Sequence, residues 1–376
     1  MAQLLINRIF KPSVCKNFLR HTNVRMFSST THFSSTPAYP FLLIDYILNI
    51  ADSSLDGRVT TQNYSSKGKK VYINDEKLSE EVCDAMTVGF SRDGLELELE
   101  SYISYSDDEE LIINYNPSNP KLEDVTVHLP SLPTDTEIQN LVMSSLPVRD
   151  KDWVVGVKLS GSRLSLCRPF GSSKWININT MPQCINPFST LMFSKTDQRF
   201  YIPSIGGNYL CYLDLNSKED EKPKFIDMEF DNLPKSVYEE LAEVSSCSRT
   251  EHLVESPTGQ LFLVKWYGKD MKDYENDLIH VTEKFMVFRA GEESDEYGKT
   301  MIYTEDIGDL CIFVGRGEAY CVPASFSHGL KPNCIYFVGH NFGVYDLATK
   351  TCTTLYIEDY KPLRKLDFPY WPPPNN

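Results

Sequence analysis

The sequence predicts a mainly β fold, and among β architectures a propeller-like one. Three observations carry this expectation. From residue 85 onward short strand-like runs follow one another, often alternating and punctuated by Gly, Asn, Asp and Ser. Helical patterns are few and local, too few to supply the crossover helices of a parallel sheet. A two-strand pattern also recurs loosely. Arg199-Phe200-Tyr201-Ile202 leads through Gly206-Gly207 to Tyr209-Leu210-Cys211-Tyr212-Leu213-Asp214-Leu215, and Cys334-Ile335-Tyr336-Phe337 leads through Asn341 and Gly343 to Val344-Tyr345-Asp346-Leu347. An aromatic strand, a turn and a second strand with an aromatic facing the next blade form the grammar of propeller blades. Because the period is irregular, a β-sandwich pair stays open as the alternative.

The elements follow in chain order. Lys67-Gly68-Lys69-Lys70 reads as a solvated turn before a strand at Val71. Leu95 to Leu99 alternates leucine with glutamate. Strand runs follow at Trp153 to Leu159, Arg163 to Cys167, Trp175 to Ile178, Arg199 to Ile202 and Tyr209 to Leu213. Others lie at Gln260 to Lys265, Lys284 to Phe288, Cys311 to Val314, Cys334 to Val338 and Gly343 to Leu347. Two helices are expected among them. Thr134-Asp135-Thr136-Glu137 reads as a capping box before Ile138, Leu141 and Val142, with the helix stopping before Pro147. Ser236-Val237-Tyr238-Glu239 reads as a second, with Leu241 and Val244 on its buried side.

The amino terminus has a different composition. Arg8, Lys11, Lys16, Arg20 and Arg25 precede the first carboxylate, Asp45. With Leu4, Leu5, Ile9 and Phe18 able to line the opposite side of a helix, this is the composition of an organellar transit peptide. Arg25-Met26-Phe27-Ser28 resembles the plant mitochondrial processing site, with Arg25 two positions before Phe27 and cleavage between Phe27 and Ser28. The expected organisation is a mitochondrial transit peptide at 1–27, a partly flexible segment at 28–70 and a propeller-like domain at 71–374. The expected destination is the mitochondrial matrix, reached through the import machinery. The Ser and Thr from Ser28 to Thr36 keep the chloroplast as the alternative.

Without the leader, 32 Lys and Arg stand against all 52 Asp and Glu, a net charge near −20. Such a body repels phosphate backbones, so no nucleic-acid partner is expected and organellar RNA binding rests on the compartment alone. No apolar run reaches the roughly 20 residues of a membrane span; the best, Pro40 to Ile50, contains Asp45. The 10 cysteines occur singly and without a C-x-x-C, so most are expected to be small core hydrophobes rather than disulfide partners.

Chemical motifs are weak. Cys321, His328, Cys334 and His340 are ligand types within twenty residues, but structural zinc pairs its ligands two to five residues apart. Gly89-Phe90-Ser91-Arg92-Asp93-Gly94 is a turn rather than a nucleophile elbow. Gly315-Arg316-Gly317 is a hairpin turn rather than a dinucleotide fingerprint. The acid runs at 107–110, 219–221 and 292–296 lack the alternation of a calcium loop and read as solvated loop tips that form an acidic rim for basic partners. No catalytic residue, cofactor or metal is assigned.

The carboxy-terminal third carries a series of motifs in order. These are His252-Leu253-Val254-Glu255-Ser256, Leu261-Phe262-Leu263-Val264, Phe285-Met286-Val287-Phe288, Asp309 to Gly315, Lys331 to Phe337, Gly343 to Leu347 and Trp371-Pro372-Pro373-Pro374. The series resembles the plant domain of unknown function 295, the domain found behind F-boxes in F-box/kelch-like proteins. With a transit peptide where the F-box would stand, the chain looks like the organellar branch of that family. It departs from the family at Met301-Ile302-Tyr303, where many members have Trp, and at Gly89 to Gly94. The resemblance implies a kelch-like propeller acting as a receptor domain, although a ubiquitin-ligase role does not transfer to a chain without the adaptor. The function expected is a non-enzymatic, protein-binding module with an unidentified partner. The alternative is a metabolite-binding or enzymatic propeller with a central-channel site.

The leader yields the first prediction. Replacing Arg20 and Arg25 with Glu lowers its charge from +5 to +1 and opposes the pull of the inner-membrane potential. A fluorescent fusion carrying both changes should remain cytosolic and unprocessed, whereas Arg25→Ala alone should be imported but cut poorly. Mitochondrial accumulation of the double variant as a chain starting at Ser28 would refute the assignment.

Overall fold

Every strand run anticipated after residue 150 lies, to within two residues at its ends, inside a strand of the protein, whose structure is a computed structural model. It describes residues 41–354 apart from the connecting stretches 51–56, 66–69, 78–84, 91–95, 102–108, 116–124, 133–137, 146–151, 160–162, 172–173, 179–188, 216–222, 232, 273–277, 295–297, 316, 327–329 and 339–341. Side chains are described at Ile113 and, outside those stretches, from Thr126 onward except at 270–280, 292–294 and 342. The leader, with Arg25, Phe27 and Ser28, lies outside the described residues.

Strands β1 (Phe41–Ile50), β2 (Gly57–Ser65) and β3 (Lys70–Lys77) form a three-stranded antiparallel sheet, so pairing runs across residue 70. Two antiparallel four-stranded meanders follow. The first contains β4 (Ala85–Phe90), β5 (Glu96–Ser101), β6 (Glu109–Tyr115) and β7 (Val125–Leu129). The second contains β8 (Ile138–Met143), β9 (Val155–Leu159), β10 (Leu164–Cys167) and β11 (Trp175–Ile178).

The next two meanders are fused. One comprises β12 (Met192–Ser194), β13 (Arg199–Pro203), β14 (Tyr209–Asp214) and β15 (Lys224–Asp231). After helix α1 (Lys235–Glu243) the other comprises β16 (Ser248–Glu255), β17 (Leu261–Lys272), β18 (Leu278–Ser294) and β19 (Gly298–Thr304). Their last strands pair in parallel, Asp227 opposite Gly298 through Asp231 opposite Ile302, giving one eight-stranded sheet. A five-stranded sheet completes the described chain, with β20 (Leu310–Val314), β21 (Tyr320–Pro323), β22 (Cys334–Val338), β23 (Phe342–Asp346) and β24 (Thr351–Thr354) in the order β21-β20-β22-β23-β24.

One edge strand of each meander or sheet touches that of the next: β4 meets β8, β8 meets β12, β12 meets β16, and β16 meets β21. Between each pair of neighbours lies an apolar layer. Ile113 and Val127 pack with Leu141, Trp153 and Val157. Val142, Leu164 and Ile178 meet Leu191, Phe200 and Leu213. Leu210 and Met228 meet Leu253, Leu263 and Phe288. Val264 and Phe285 meet Ile312, Phe337 and Tyr345. A large apolar side chain buried in such a layer contributes on the order of 1.5–3 kcal/mol. Sheets stacked face to face with one edge strand of each adjacent make the fold a β-propeller, not a pair of sandwiched sheets. Approach between sheets is close: a Cβ at Gly156 would lie 2.9 Å from Leu191 and 3.0 Å from Phe200.

Two expectations are corrected. Residues 138–143 form strand β8 instead of a helix. Ile138, Leu141 and Met143 enter one apolar layer while Val142 enters the other. A strand buried on both faces has no polar side, and its apolar residues match helical spacing by coincidence. The proposed capping residues 134–137 lie outside the described residues. Helix α1 does form, but its N-cap is Pro234, without a side-chain cap, and Ser236 lies inside the first turn. Val237 and Val244 are buried as expected, and Leu241 is partly so.

Both repeats form antiparallel hairpins, β13–β14 and β22–β23. Tyr212 faces the following meander as the blade grammar predicts, whereas Tyr345 faces the preceding one. The parallel β20–β22 pairing sets the second hairpin differently in its sheet. Gly315 and Gly317 lie between antiparallel β20 and β21, with Gly317 at φ +114°, while Arg316 is outside the described residues.

Asn140 fastens β8 to the start of β12. Its amide donates to Leu191 O at 2.9 Å and its carbonyl accepts from Leu191 N at 3.1 Å, both buried. Asn140→Ala should cost about 2–4 kcal/mol in urea unfolding, because two buried backbone groups lose their partners. A loss under about 0.5 kcal/mol would show that this clamp is dispensable.

Candidate functional site

The inner strands carry an unusual number of buried polar side chains, most of them committed to holding neighbouring strands together. Along β16 Glu251, His252 and Glu255 are buried on either side of the apolar pair Leu253-Val254. Glu255 accepts hydrogen bonds from Ser194 Oγ at 2.8 Å, Lys195 N at 2.8 Å and Thr196 N at 3.1 Å. Burial pushes this carboxyl up, but those donors outweigh it and hold it below its ordinary value. His252 is buried, with Nδ1 3.2 Å from Thr190 Oγ1 and Nε2 3.1 Å from Thr250 Oγ1. Desolvation lowers its pKa to about 4, so it is neutral at physiological pH.

Glu251, fully buried, marks the edge of a cavity of about 340 Å³. Ile205, Leu241 and Val244 form its apolar wall; Ser245, Cys247, Arg249, Glu251 and Tyr267 form the polar one. The cavity exists because α1 bridges β15 and β16 across the end of the fused sheet. Leu241 and Val244 project from the helix C-terminal turn, while Ile205 comes from the tight turn after β13.

Charge is organised around Glu251. Arg249 Nε donates to its Oε1 at 2.6 Å, Gly206 N donates to it at 3.0 Å, and Ser189 Oγ donates at 3.4 Å. Burial alone would depress Arg249, but the carboxylate overrides it and holds the guanidinium above its ordinary value. The same guanidinium lies 5.9 Å from the Tyr267 ring centroid. Lys265 stands opposite Glu251 in the β16–β17 register. Its ammonium is caged by Phe230 at 4.0 Å and Phe288 at 4.9 Å. Burial, reinforced by Arg249, lowers its pKa to about 8, so it remains mostly charged at pH 7.

Helix α1 is pinned from its other side. Glu240 accepts from Lys284 Nζ at 3.0 Å and from Lys350, which also pairs with Glu305 at 2.7 Å. Burial raises the Glu240 carboxyl, but Lys350 and Lys284 together bring it below its ordinary value. The helix therefore links the fused sheet to the β23–β24 turn. A broader hollow beside this network is bordered by Tyr303, Glu305, Asp306 and Asn333.

Cys321 and Cys334 face opposite sides of the last sheet, Cys321 among Val254 and Ile335 and Cys334 among Phe313 and Tyr336. They cannot share one ion in this arrangement. His328 and His340 lie outside the described residues, and among the described residues no three His, Cys, Asp or Glu converge. The seven described cysteines are free thiols, five of them buried. Among the described residues no helix is long and apolar enough to cross a membrane. The acid runs are corrected in part: Glu109 and Glu110 belong to β6 and Glu292 to Ser294 to β18, not to loop tips, and the remainder lies outside the described residues. The cavity residues escaped sequence reasoning; the available signal was Arg249-Thr250-Glu251-His252, charge on alternate positions of a strand that continues as Leu253-Val254.

The model of the KIB1-4 β-propeller family matches residues 70–346. No curated protein matches the chain significantly. Among solved structures, a functionally unknown protein from Desulfotomaculum acetoxidans DSM 771 is 10% identical, with 84% of this chain and 86% of that one covered at a TM-score of 0.34. A xylan β-1,4-xylosidase from Bacillus halodurans C-125 is 13% identical, with 71% and 56% covered at a TM-score of 0.29. Superpositions this loose assign no activity.

His252 supplies a pH prediction. Between about pH 6.5 and pH 4 the unfolded chain binds a proton at this residue that the folded protein does not, so stability falls as pH falls through that window. The loss should amount to roughly 3 kcal/mol. His252→Gln, which keeps an amide between Thr190 and Thr250, should flatten that part of the profile in denaturant unfolding at pH 7 and pH 4.5. An unchanged profile would show that another group controls it.

Proposed function

The chain belongs to the KIB1-4 β-propeller family, and from that premise we propose that it is a non-enzymatic protein-docking module working in the mitochondrial matrix. Membership in a propeller family supports an interaction module in general. The compartment rests on the leader, and the ordered motifs of residues 252–347 support an organellar protein related to the plant domain of unknown function 295.

One observation carries the docking surface. Ile205, 51% exposed, borders the cavity, and Tyr238, 59% exposed, lies on α1 three residues before Leu241 in the cavity wall. Positions i and i+3 neighbour each other on a helix, so Tyr238 belongs at the cavity mouth. Apolar anchors beside a concave, partly polar pocket match the anatomy of binding hot spots. The buried polar groups of β16, by contrast, serve the seam between meanders.

Proximity labelling from the full chain in intact mitochondria tests the reading. A defined protein set should be enriched over an inert matrix protein, and the double variant Ile205→Ala, Tyr238→Ala should reduce that enrichment about tenfold or more while its melting temperature stays near the parent value. Labelling no richer than the inert control would rule the module out.

A further inference from the structure

Tyr267 lines the cavity beneath α1 with a hydroxyl proton that no acceptor takes up. The residue is 3% exposed, and its O–H finds no acceptor, the neighbouring Arg249 guanidinium being a donor only. Buried hydroxyls are ordinarily paired, so an unpaired one at the wall of a cavity points to a partner that enters from outside. Arg249 stands beside it, 32% exposed at the side chain. Glu251 takes the Nε of Arg249 and thereby fixes the plane of the guanidinium.

The balance of charge selects the sign of the ligand. Arg249 in the lining and Lys265 just behind it stand against the carboxylate of Glu251, which already accepts from Gly206 and Ser189, while Glu283 and Lys269 near Cys247 offset each other. The site is therefore locally positive within a chain of net charge −15. Leu241, Val244 and Ile205 supply the apolar part of the lining. At about 340 Å³ the cavity sits at the lower limit of ligand pockets.

We propose that this cavity binds a carboxylate carried on a small apolar body, supplied either as a free branched short-chain acid or as the C-terminal residue of a peptide. The guanidinium of Arg249 and the hydroxyl of Tyr267 donate to the carboxylate, and the apolar body lies against Leu241, Val244 and Ile205. Binding is non-covalent. The proposal shares its cavity with the docking reading but is measured on purified protein. Acid binding without a mitochondrial partner would leave the proposal standing alone, and a partner without acid binding would leave docking standing alone.

The test is calorimetric titration of the full chain with four probes: 4-methylpentanoate, its primary amide, and a pentapeptide ending in leucine with a free or an amidated C-terminus. At least one of the two acids should bind, with its amide weaker by about tenfold or more, because a charge-assisted bond is lost. Binding of the free acid alone assigns the site to a small molecule; binding of the peptide acid assigns it to a partner's C-terminus. Tyr267→Phe removes only the unpartnered hydroxyl. It should weaken the acid about fivefold or more while leaving the ligand-free melting temperature unchanged or raised, a combination that a structural tyrosine would not give. Arg249→Gln should abolish binding, and should that variant fail to fold, Tyr267→Phe decides alone. Failure of both acids at millimolar concentration, equal binding of acid and amide, or full affinity in Tyr267→Phe would each overturn the proposal.

Discussion

Every meander of the propeller whose side chains are described on both faces is apolar on both, and that constraint organises the rest of the molecule. A sheet of this kind cannot face water on either side, so it is stable only between two neighbours. Strands such as Val155–Leu159 and Cys334–Val338 are buried along their whole length for this reason. Several polar residues that enter the interior sit on the inner strands, where facing backbone and hydroxyls satisfy them, although Lys158, Ser165 and Lys265 are buried further out. Asn140, Glu251, His252 and Glu255 all occupy such positions, and each is bonded across to the next strand set. An unpaired carboxylate there would be costly, which is why Glu255 collects three donors.

The same constraint explains the fused pair. Strand β15 would be the exposed outer edge of its meander, with backbone groups open to any passing strand. Parallel pairing with β19 covers it and ties two meanders together at their outer edges, while β12 and β16 meet at the inner ones. The price of this closure is an irregular end, and helix α1 spans it. Pinned by Glu240 to Lys284 and Lys350 on one side and packed through Val237 and Val244 on the other, α1 cannot fill the space completely. The cavity with Arg249 and Tyr267 is what remains beneath it. Fold and candidate site thus have one origin.

Much of the strand content was legible in the sequence, because short apolar runs broken by turn residues leave a clear local signal. The hairpins at 199–215 and 334–347 were legible as well, the first with its turn at Gly206-Gly207, whereas Gly343, read as part of the second turn, lies inside β23. Residues 138–143 misled because burial on both faces erases the two-residue period, leaving Ile138, Leu141 and Val142 at helical spacing. The parallel β15–β19 and β20–β22 pairings left no trace in the chain, since pairing between strands distant in sequence is decided by packing. The cavity was hidden for a related reason: Ile205, Leu241, Arg249 and Tyr267 come from four separate elements, and only the charge alternation of Arg249 and Glu251 hinted at it.

The fused sheet is the central claim, because the inner contact, the helix bridge and the cavity all depend on it. Amide hydrogen exchange along Phe225–Asp231 tests it most directly. If β15 is paired on both sides, its amides should exchange as slowly as those at the centre of β17, near the limit of global unfolding. Exchange as fast as that of the outermost strand β24 would show that β15 is a free edge and that the two meanders are separate.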